Sequence, residues 1–90
     1  MKADKAQISR LLKTARGQMD GILKMVEEDR YCIDISNQLM ATQAILQRVN
    51  HDIIRGHLEH CVAEASVNGS PQERREKIEE IMGILDKIMR

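Results

Sequence analysis

Apolar residues recur every three or four positions through the first third of the chain, which is the period of an amphipathic helix. The repeating positions are Ile8, Leu11, Leu12, Ala15, Met19, Ile22 and Val26. They predict a first helix from about Lys5 to Glu28. The acidic run 27–29 favours an end there, because a helix C-terminus disfavours negative charge. Asp29 is also a candidate cap for the next helix.

A longer pattern from Ile33 to Ser66 contains no proline and a single glycine, Gly56. Its apolar spacing is close to seven residues per two turns, at Ile35, Leu39, Leu46, Val49 and Ile53. Further apolar positions widen the stripe, at Ala41, Ala44, Ile45, Ile54, Leu58 and Val62. We expect one long central helix that packs against more than one neighbour, with self-association supplying one of them, and with Asn68-Gly69 as its end.

The sharpest boundary is Ser70-Pro71-Gln72-Glu73, which has the form of a capping box with Ser70 at N-cap, Pro71 at N1 and Glu73 at N3. A narrow apolar stripe follows at Ile78, Ile81, Met82, Leu85, Ile88 and Met89. This pattern predicts a third helix that closes the fold.

Composition supports an all-α protein of one domain over residues 1–90, since the chain has one proline, one tyrosine and no phenylalanine or tryptophan. So short a chain buries only a modest core, which makes a stable monomer doubtful. Fourteen basic and fourteen acidic residues give zero net charge, so any DNA binding must come from a local patch. We find no carboxylate pair, nucleophile triad or phosphate loop typical of an enzyme. Without a leader or a run of about 20 apolar residues, we expect a cytoplasmic protein.

Three residues form a candidate metal site. His57 and Cys61 are four apart, so on a helix they project from one face at a distance suited to one ion. Cys32 lies 25 residues before His57, roughly 37 Å away on a continuous helix. One protomer therefore cannot close a site with all three.

Two protomers can close it if their central helices pair antiparallel. The midpoint between Cys32 and the His57/Cys61 pair falls near Ala44-Ile45, and crossing there brings Cys32 of one chain beside the pair of the other. The small residues Ala41 and Ala44 permit a close approach. A monomeric protein that bound metal through all three residues would refute this arrangement.

Two thiolates and one imidazole suit Cu(I), which accepts three ligands, whereas a structural zinc site normally has four. His51 and His60 are candidate fourth ligands for Zn, Ni or Co, although His60 adjoins Cys61 and so faces another side of the helix. Buried, inert thiols beside a solvated histidine are the alternative interpretation.

Three blocks of the sequence resemble the CsoR/RcnR family of bacterial metal- and stress-sensing repressors. They are residues 16–22 (RGQMDGI), 25–32 (MVEEDRYC) and 57–62 (HLEHCV), and the similarity covers essentially the whole chain. The resemblance implies a three-helix protomer, an antiparallel dimer and a dimer-of-dimers tetramer. It also implies binding to operator DNA without a helix-turn-helix.

Within that family, Cys32, His57 and Cys61 match the ligand set of the copper-sensing branch. The implied function is a repressor that binds operator DNA when metal-free and is released by Cu(I) bound across the dimer interface, derepressing copper-efflux or copper-resistance genes. The nickel/cobalt and formaldehyde branches use N-terminal histidine or proline residues that this chain lacks. The persulfide-sensing branch keeps both cysteines but loses the histidine.

Other functions stay open on these residues. One is a persulfide or thiol-oxidation sensor that uses Cys32 and Cys61. Another is a sensor of Ni(II) or Zn(II), and a third is a copper or zinc storage or delivery protein with no role at DNA. His57 separates the copper sensor from the sulfur sensor.

The resemblance also implies residues that support the ligands from behind. Tyr31 is similar to the tyrosine beside the first cysteine of the family. A glutamate of helix three has a comparable role there, and Glu79 and Glu80 are our candidates, with Glu76 a third.

The candidate DNA-binding residues are basic. The first sixteen residues carry Lys2, Lys5, Arg10, Lys13 and Arg16 against Asp4 alone, a local excess of four positive charges. Arg48 and Arg55 share a face of helix two. In the family, basic residues of helix one and an arginine matched by Arg48 contact DNA. Leu11 and Thr14 stand where relatives often have basic residues, so this patch is thinner than usual.

Overall fold

The protein is described by a computed structural model that covers residues 1–88, apart from the side chains of residues 62, 65 and 66. It contains three helices in chain order: α1 (Lys5–Glu27), α2 (Cys32–Asn68) and α3 (Pro71–Ile88). The all-α, three-helix prediction is confirmed, and α2 is continuous over 37 residues. Two positions of the predicted stripes, Met89 and the Val62 side chain, lie outside the described residues.

Local caps fix both ends of α1. The Asp4 carboxylate accepts hydrogen bonds from the backbone N–H groups of Ala6 (3.1 Å) and Gln7 (3.2 Å). These N–H groups have no partner inside the helix, so the cap determines where α1 begins.

Asp29 ends α1 and does not cap α2, contrary to our alternative. Its φ of 52° lies in the left-handed region. Its N–H donates to Val26 O (3.1 Å) and the following Arg30 N–H donates to Met25 O (2.9 Å), the bond pattern of a Schellman motif. The carbonyl of Tyr31 instead accepts hydrogen bonds from the N–H groups of Asp34 (3.0 Å) and Ile35 (3.2 Å) in the first turn of α2. Cys32 is therefore the first residue of α2.

α3 begins where the capping box predicts. The Glu73 N–H donates to Ser70 Oγ (3.2 Å), and the Arg74 N–H donates to the Ser70 carbonyl (3.0 Å). Pro71 occupies the first helical position, where the N–H group that proline lacks would have had no partner inside the helix. The turn of Gly69 and Ser70 thus reverses the chain and lays α3 back along α2.

α1 and α2 pack antiparallel. The buried residues of α1 are Ile8, Ala15 and Ile22, spaced by seven. Among the residues of α2 whose side chains are described, Thr42 and Val49 are buried with the same spacing. Thr42 Oγ1 donates to Gln18 Oε1 (2.8 Å) across the interface. At the other end Ala3 covers Gly56 so closely that a Cβ on Gly56 would lie 3.0 Å from Ala3 Cα.

α3 lies against the C-terminal part of α2, and among the described residues α1 and α3 make no contact with each other. The protomer measures 58 × 28 × 13 Å, only about one helix thick. Its radius of gyration is 18.0 Å, whereas a compact domain of this length has one of about 12 Å. The protomer is thus extended, and α2 is the central helix that contacts both α1 and α3.

The stripe of α3 does not close the fold within one protomer. The side chains of Ile78, Met82, Leu85 and Ile88 are each more than two-fifths exposed, and so are Leu39, Met40 and Leu46 of α2. On α1, Met19 and Val26 of the predicted stripe are exposed as well. Within residues 1–88 no helix combines the length and apolar character that a membrane crossing requires.

Candidate metal centre

His57 and Cys61 come together on one face of α2, as their spacing predicts. Cys61 Sγ lies 3.6 Å from His57 Nε2 and 3.9 Å from His57 Nδ1. Bonds of about 2.0 Å to nitrogen and 2.3 Å to sulfur, at trigonal angles, would put the two donor atoms of one ion about 3.7 Å apart. The distance between the two donors therefore suits a single metal ion.

Glu80 of α3 contacts one of the two ring nitrogens of His57. Its Oε1 lies 2.5 Å from His57 Nε2. A carboxylate only accepts, so Nε2 carries the proton in this bond, and in the neutral ring Nδ1 then keeps its lone pair. The nitrogen on the Glu80 side is thus occupied, while Nδ1 remains a possible ligand atom.

Lys77 completes a chain of contacts from α3 to α2. Its Nζ lies 3.3 Å from Glu80 Oε2, so the two carboxylate oxygens of Glu80 have different partners. The hydrogen bond from His57, followed by that from Lys77, holds the pKa of Glu80 below its usual range, although partial burial opposes this. The hydrogen bond to Glu80 raises the pKa of Lys77, and the nearby Cys61 and Glu80 charges act in the same direction.

Cys32 is remote from this pair in the same protomer. It is exposed, and the unbroken α2 separates it from His57 by 25 residues, roughly 37 Å. Among the described residues no group of three or more histidine, cysteine, aspartate or glutamate side chains is placed to hold a metal ion. One protomer thus presents a two-donor half-site at one end of α2 and a single thiol at the other.

The other candidate residues near the ligands separate into those with and without a contact to the half-site. Among the glutamates Glu80 touches His57, whereas Glu79 is exposed; Glu76 lines a cleft of about 200 Å³ that reaches Cys61. Tyr31 is 67% exposed and lies beside Cys32, at the other end of α2.

The two spare histidines each face a carboxylate. His60 Nε2 lies 3.3 Å from Glu64 Oε2, and His51 Nδ1 lies 3.6 Å from Asp52 Oδ1. His60 is on a different side of α2 from the His57/Cys61 pair, as expected for a neighbour of Cys61.

The candidate DNA-binding residues lie on the surface of α1 and α2. Arg10, Lys13, Arg16 and Arg48 are exposed, and Arg10 and Lys13 border one shallow depression on α1. Arg55 differs, because its Nε lies 2.8 Å from Glu59 Oε1. This hydrogen bond raises the pKa of Arg55 and offsets part of the charge that it would offer to a phosphate.

Sequence reasoning missed Lys77. The signal was present, since Lys77 and Glu80 are three apart and share a helix face. Choosing this pair among the lysines and glutamates of α3 requires knowing which face of α3 meets α2, and that depends on the turn at Gly69 and Ser70.

Residues 4–87 match the family model described as metal-sensitive transcriptional repressor. The chain is 48% identical over 61 residues to the copper-sensing transcriptional repressor CsoR of Mycobacterium ulcerans (strain Agy99), covering 68% of this chain and 52% of that protein. It therefore spans about half the length of this mycobacterial relative. With the copper-sensing repressor CsoR of Bacillus subtilis (strain 168) the identity is 39% over 84 residues, covering 93% of this chain and 80% of that protein.

Two solved structures are similar. The copper-sensing repressor CsoR with Cu(I) from Geobacillus thermodenitrificans NG80-2 has a TM-score of 0.83 and 34% identity, over 100% of this chain and 94% of that one. The nickel-responsive transcriptional regulator InrS has a TM-score of 0.82 over 97% of this chain and 94% of that one. Its identity is 24%, so that likeness concerns the fold alone.

Proposed function

The chain belongs to the family of metal-sensitive transcriptional repressors, and from this premise we propose that it is a Cu(I)-responsive repressor. Metal-free protein binds operator DNA in the cytoplasm, and Cu(I) held by Cys32, His57 and Cys61 releases it, so that copper-efflux or copper-resistance genes are expressed. The observation that carries the proposal is the half-site, in which Cys61 Sγ lies 3.9 Å from His57 Nδ1 while Glu80 occupies Nε2.

The donor set favours Cu(I) over the alternatives. Two soft thiolates and one imidazole satisfy a three-coordinate ion, whereas zinc would need a fourth ligand. The spare histidines lie beside Glu64 and Asp52, and no contact joins either of them to the His57/Cys61 pair among the described residues. A persulfide sensor needs only the two thiols, and the contact between Glu80 and His57 would then have no use.

The third ligand comes from a second protomer in this proposal. Antiparallel pairing of two α2 helices, crossing near Ala44-Ile45, places Cys32 of one protomer beside His57 and Cys61 of the other, twice per dimer. The exposed apolar side chains of α2 and α3 support such pairing, because many exposed large apolar side chains on neighbouring helices are typical of an interaction surface. We propose further pairing of dimers into a tetramer.

DNA binding depends on the assembly. Each protomer offers the exposed cations Arg10, Lys13, Arg16 and Arg48, with Arg55 partly offset by Glu59. Phosphate contacts of this kind add up when several protomers present them on one surface, and the chain as a whole carries no net charge. Oligomerisation is therefore part of operator binding.

Release requires that Cu(I) favour one of two arrangements of the assembly. Bound Cu(I) supplies a link between a thiolate of one protomer and the imidazole and thiolate of the other. Glu80 holds the ring of His57 from the side opposite Nδ1, so a change in the position of that ring is transmitted to α3. Cys32 begins α2 and so lies five residues after the end of α1. The first half of α1 carries three basic residues of the proposed DNA surface, Arg10, Lys13 and Arg16.

The test is an anaerobic titration of operator-bound protein with Cu(I), Ni(II), Zn(II) and a persulfide donor. We expect Cu(I) to release the DNA at one equivalent per protomer, and His57→Ala to abolish the release. Release by the persulfide donor with retention of the response in His57→Ala would contradict the proposal in favour of a sulfur sensor. A protein that binds Cu(I) but shows no salt-dependent operator shift would be a storage or delivery protein.

A further inference from the structure

Lys77 contacts Glu80, although Lys77 belongs neither to the candidate ligands nor to the candidate DNA-binding residues. It lies on α3 one turn before Glu80, and both side chains are about one-third exposed. Its ammonium group contacts Glu80 Oε2 at 3.3 Å, while Oε1 of the same carboxylate contacts His57. Glu80 therefore bridges a cation of its own helix and a candidate ligand of the neighbouring helix.

The surroundings of Lys77 and Glu80 are partly open to solvent. Lys77 borders an open cleft of about 200 Å³ between α2 and α3, lined also by Cys61 and Glu76. The Glu80 side chain is 35% exposed, and holding a long side chain of this kind in one rotamer costs conformational entropy. A charged partner three residues earlier on the helix removes part of that freedom.

Building on the proposed function, we propose that Lys77 is a positioning residue of the metal centre. It holds Glu80 so that the carboxylate accepts the Nε2 proton of His57 and leaves Nδ1 as the metal-binding nitrogen. Partners that orient a ligating histidine in this way fix its tautomer and affect metal affinity. Lys77 acts one step further from the metal, through Glu80.

The charge of Lys77 is essential to this role. Methionine has a similar length but offers Glu80 no hydrogen bond and no charge, whereas arginine restores both. Lys24 of α1 provides the matched control, because it forms a comparable pair with Glu28 (3.9 Å) and is 76% exposed. Lys24→Met removes the same charge from the protein without touching the metal centre.

The first measurement uses metal-free protein. Nitrogen-15 NMR of the histidine rings reports which nitrogen of His57 carries the proton. We expect the Nε2–H form to dominate in the wild type, in Lys24→Met and in Lys77→Arg, and a mixture of both tautomers in Lys77→Met. The same tautomer in Lys77→Met as in the wild type would overturn the proposal, and so would a mixture in Lys77→Arg.

The second measurement is a Cu(I) competition titration of the same four proteins. A partner that contacts a metal ligand directly changes affinity by about 10- to 100-fold, so we expect a loss of about 3- to 10-fold for the indirect Lys77→Met. Unchanged affinity would overturn the proposal. If Cu(I) fails to release operator from the wild type, the proposed function is wrong, while the tautomer measurement still decides the role of Lys77.

Discussion

The imidazole of His57 has two nitrogens, and the contact with Glu80 determines which of them is left to bind a metal ion. The contact at 2.5 Å occupies Nε2, while Nδ1 lies 3.9 Å from Cys61 Sγ. Sequence alone predicted His57 and Cys61 from their spacing, because residues four apart share a face of any helix. It left three glutamates as partners, since neighbouring residues differ by about 100° around a helix axis and the register of α3 on α2 is a tertiary property.

We predict that Glu80→Ala lowers Cu(I) affinity by about 10- to 100-fold, because His57 loses the acceptor that fixes its tautomer. An anaerobic competition titration with a Cu(I) chelator measures the change. Glu79→Ala is the matched control, since it removes the same charge from an adjacent exposed position. Equal losses in the two variants would mean that net charge, and not the hydrogen bond to His57, is responsible.

At the scale of the helices, local chemistry explains most of what could be predicted. Ser70 and Pro71 marked the start of α3, and the absence of proline between Ile33 and Ser66 indicated a continuous α2, because caps and breakers act within a few residues. Asp29 was open to two interpretations. A short polar side chain both caps helices and tolerates the left-handed conformation, and only the backbone geometry decides between them.

Ser70→Ala is expected to lower the free energy of unfolding by about 1 kcal/mol, because the Glu73 N–H loses its acceptor. Urea unfolding at fixed protein concentration measures it, since the proposed subunit association would make stability depend on concentration. Ser36→Ala, an exposed position inside α2, should change stability by less than about 0.5 kcal/mol. A Ser70→Ala variant as stable as Ser36→Ala would show that the cap is not needed.

At the scale of the whole molecule, the sequence could not show which apolar residues face the protomer's own core. Ile8, Ala15 and Ile22 are buried, whereas Met19 and Val26 of the same predicted stripe are exposed. In the proposed assembly one hydrophobic pattern serves packing within and between subunits, and periodicity does not separate the two. The thin shape and the large radius of gyration support the proposed pairing with a second copy.

Operator binding by exposed arginines is also a property of the whole assembly in the proposed function. Arg48→Ala is expected to weaken operator binding and to reduce the slope of log K against log salt by about 1 for each phosphate that the variant no longer neutralises. Arg55→Ala should have a smaller effect, because Arg55 is already paired with Glu59 at 2.8 Å. Fluorescence anisotropy with labelled operator at several salt concentrations compares the two. An effect of Arg55→Ala as large as that of Arg48→Ala would contradict this assignment.

The central claim is that each Cu(I) site combines residues of two protomers. Cys32→Ala and Cys61→Ala each disable every site in a homodimer, but a mixed dimer of the two variants contains one site with all three ligands if the site is shared. We predict that differently tagged Cys32→Ala and Cys61→Ala chains, refolded together and purified as the mixed dimer, bind one Cu(I) per dimer with wild-type affinity and a three-coordinate absorption spectrum. A mixed dimer that binds Cu(I) no better than either parent would contradict the shared site.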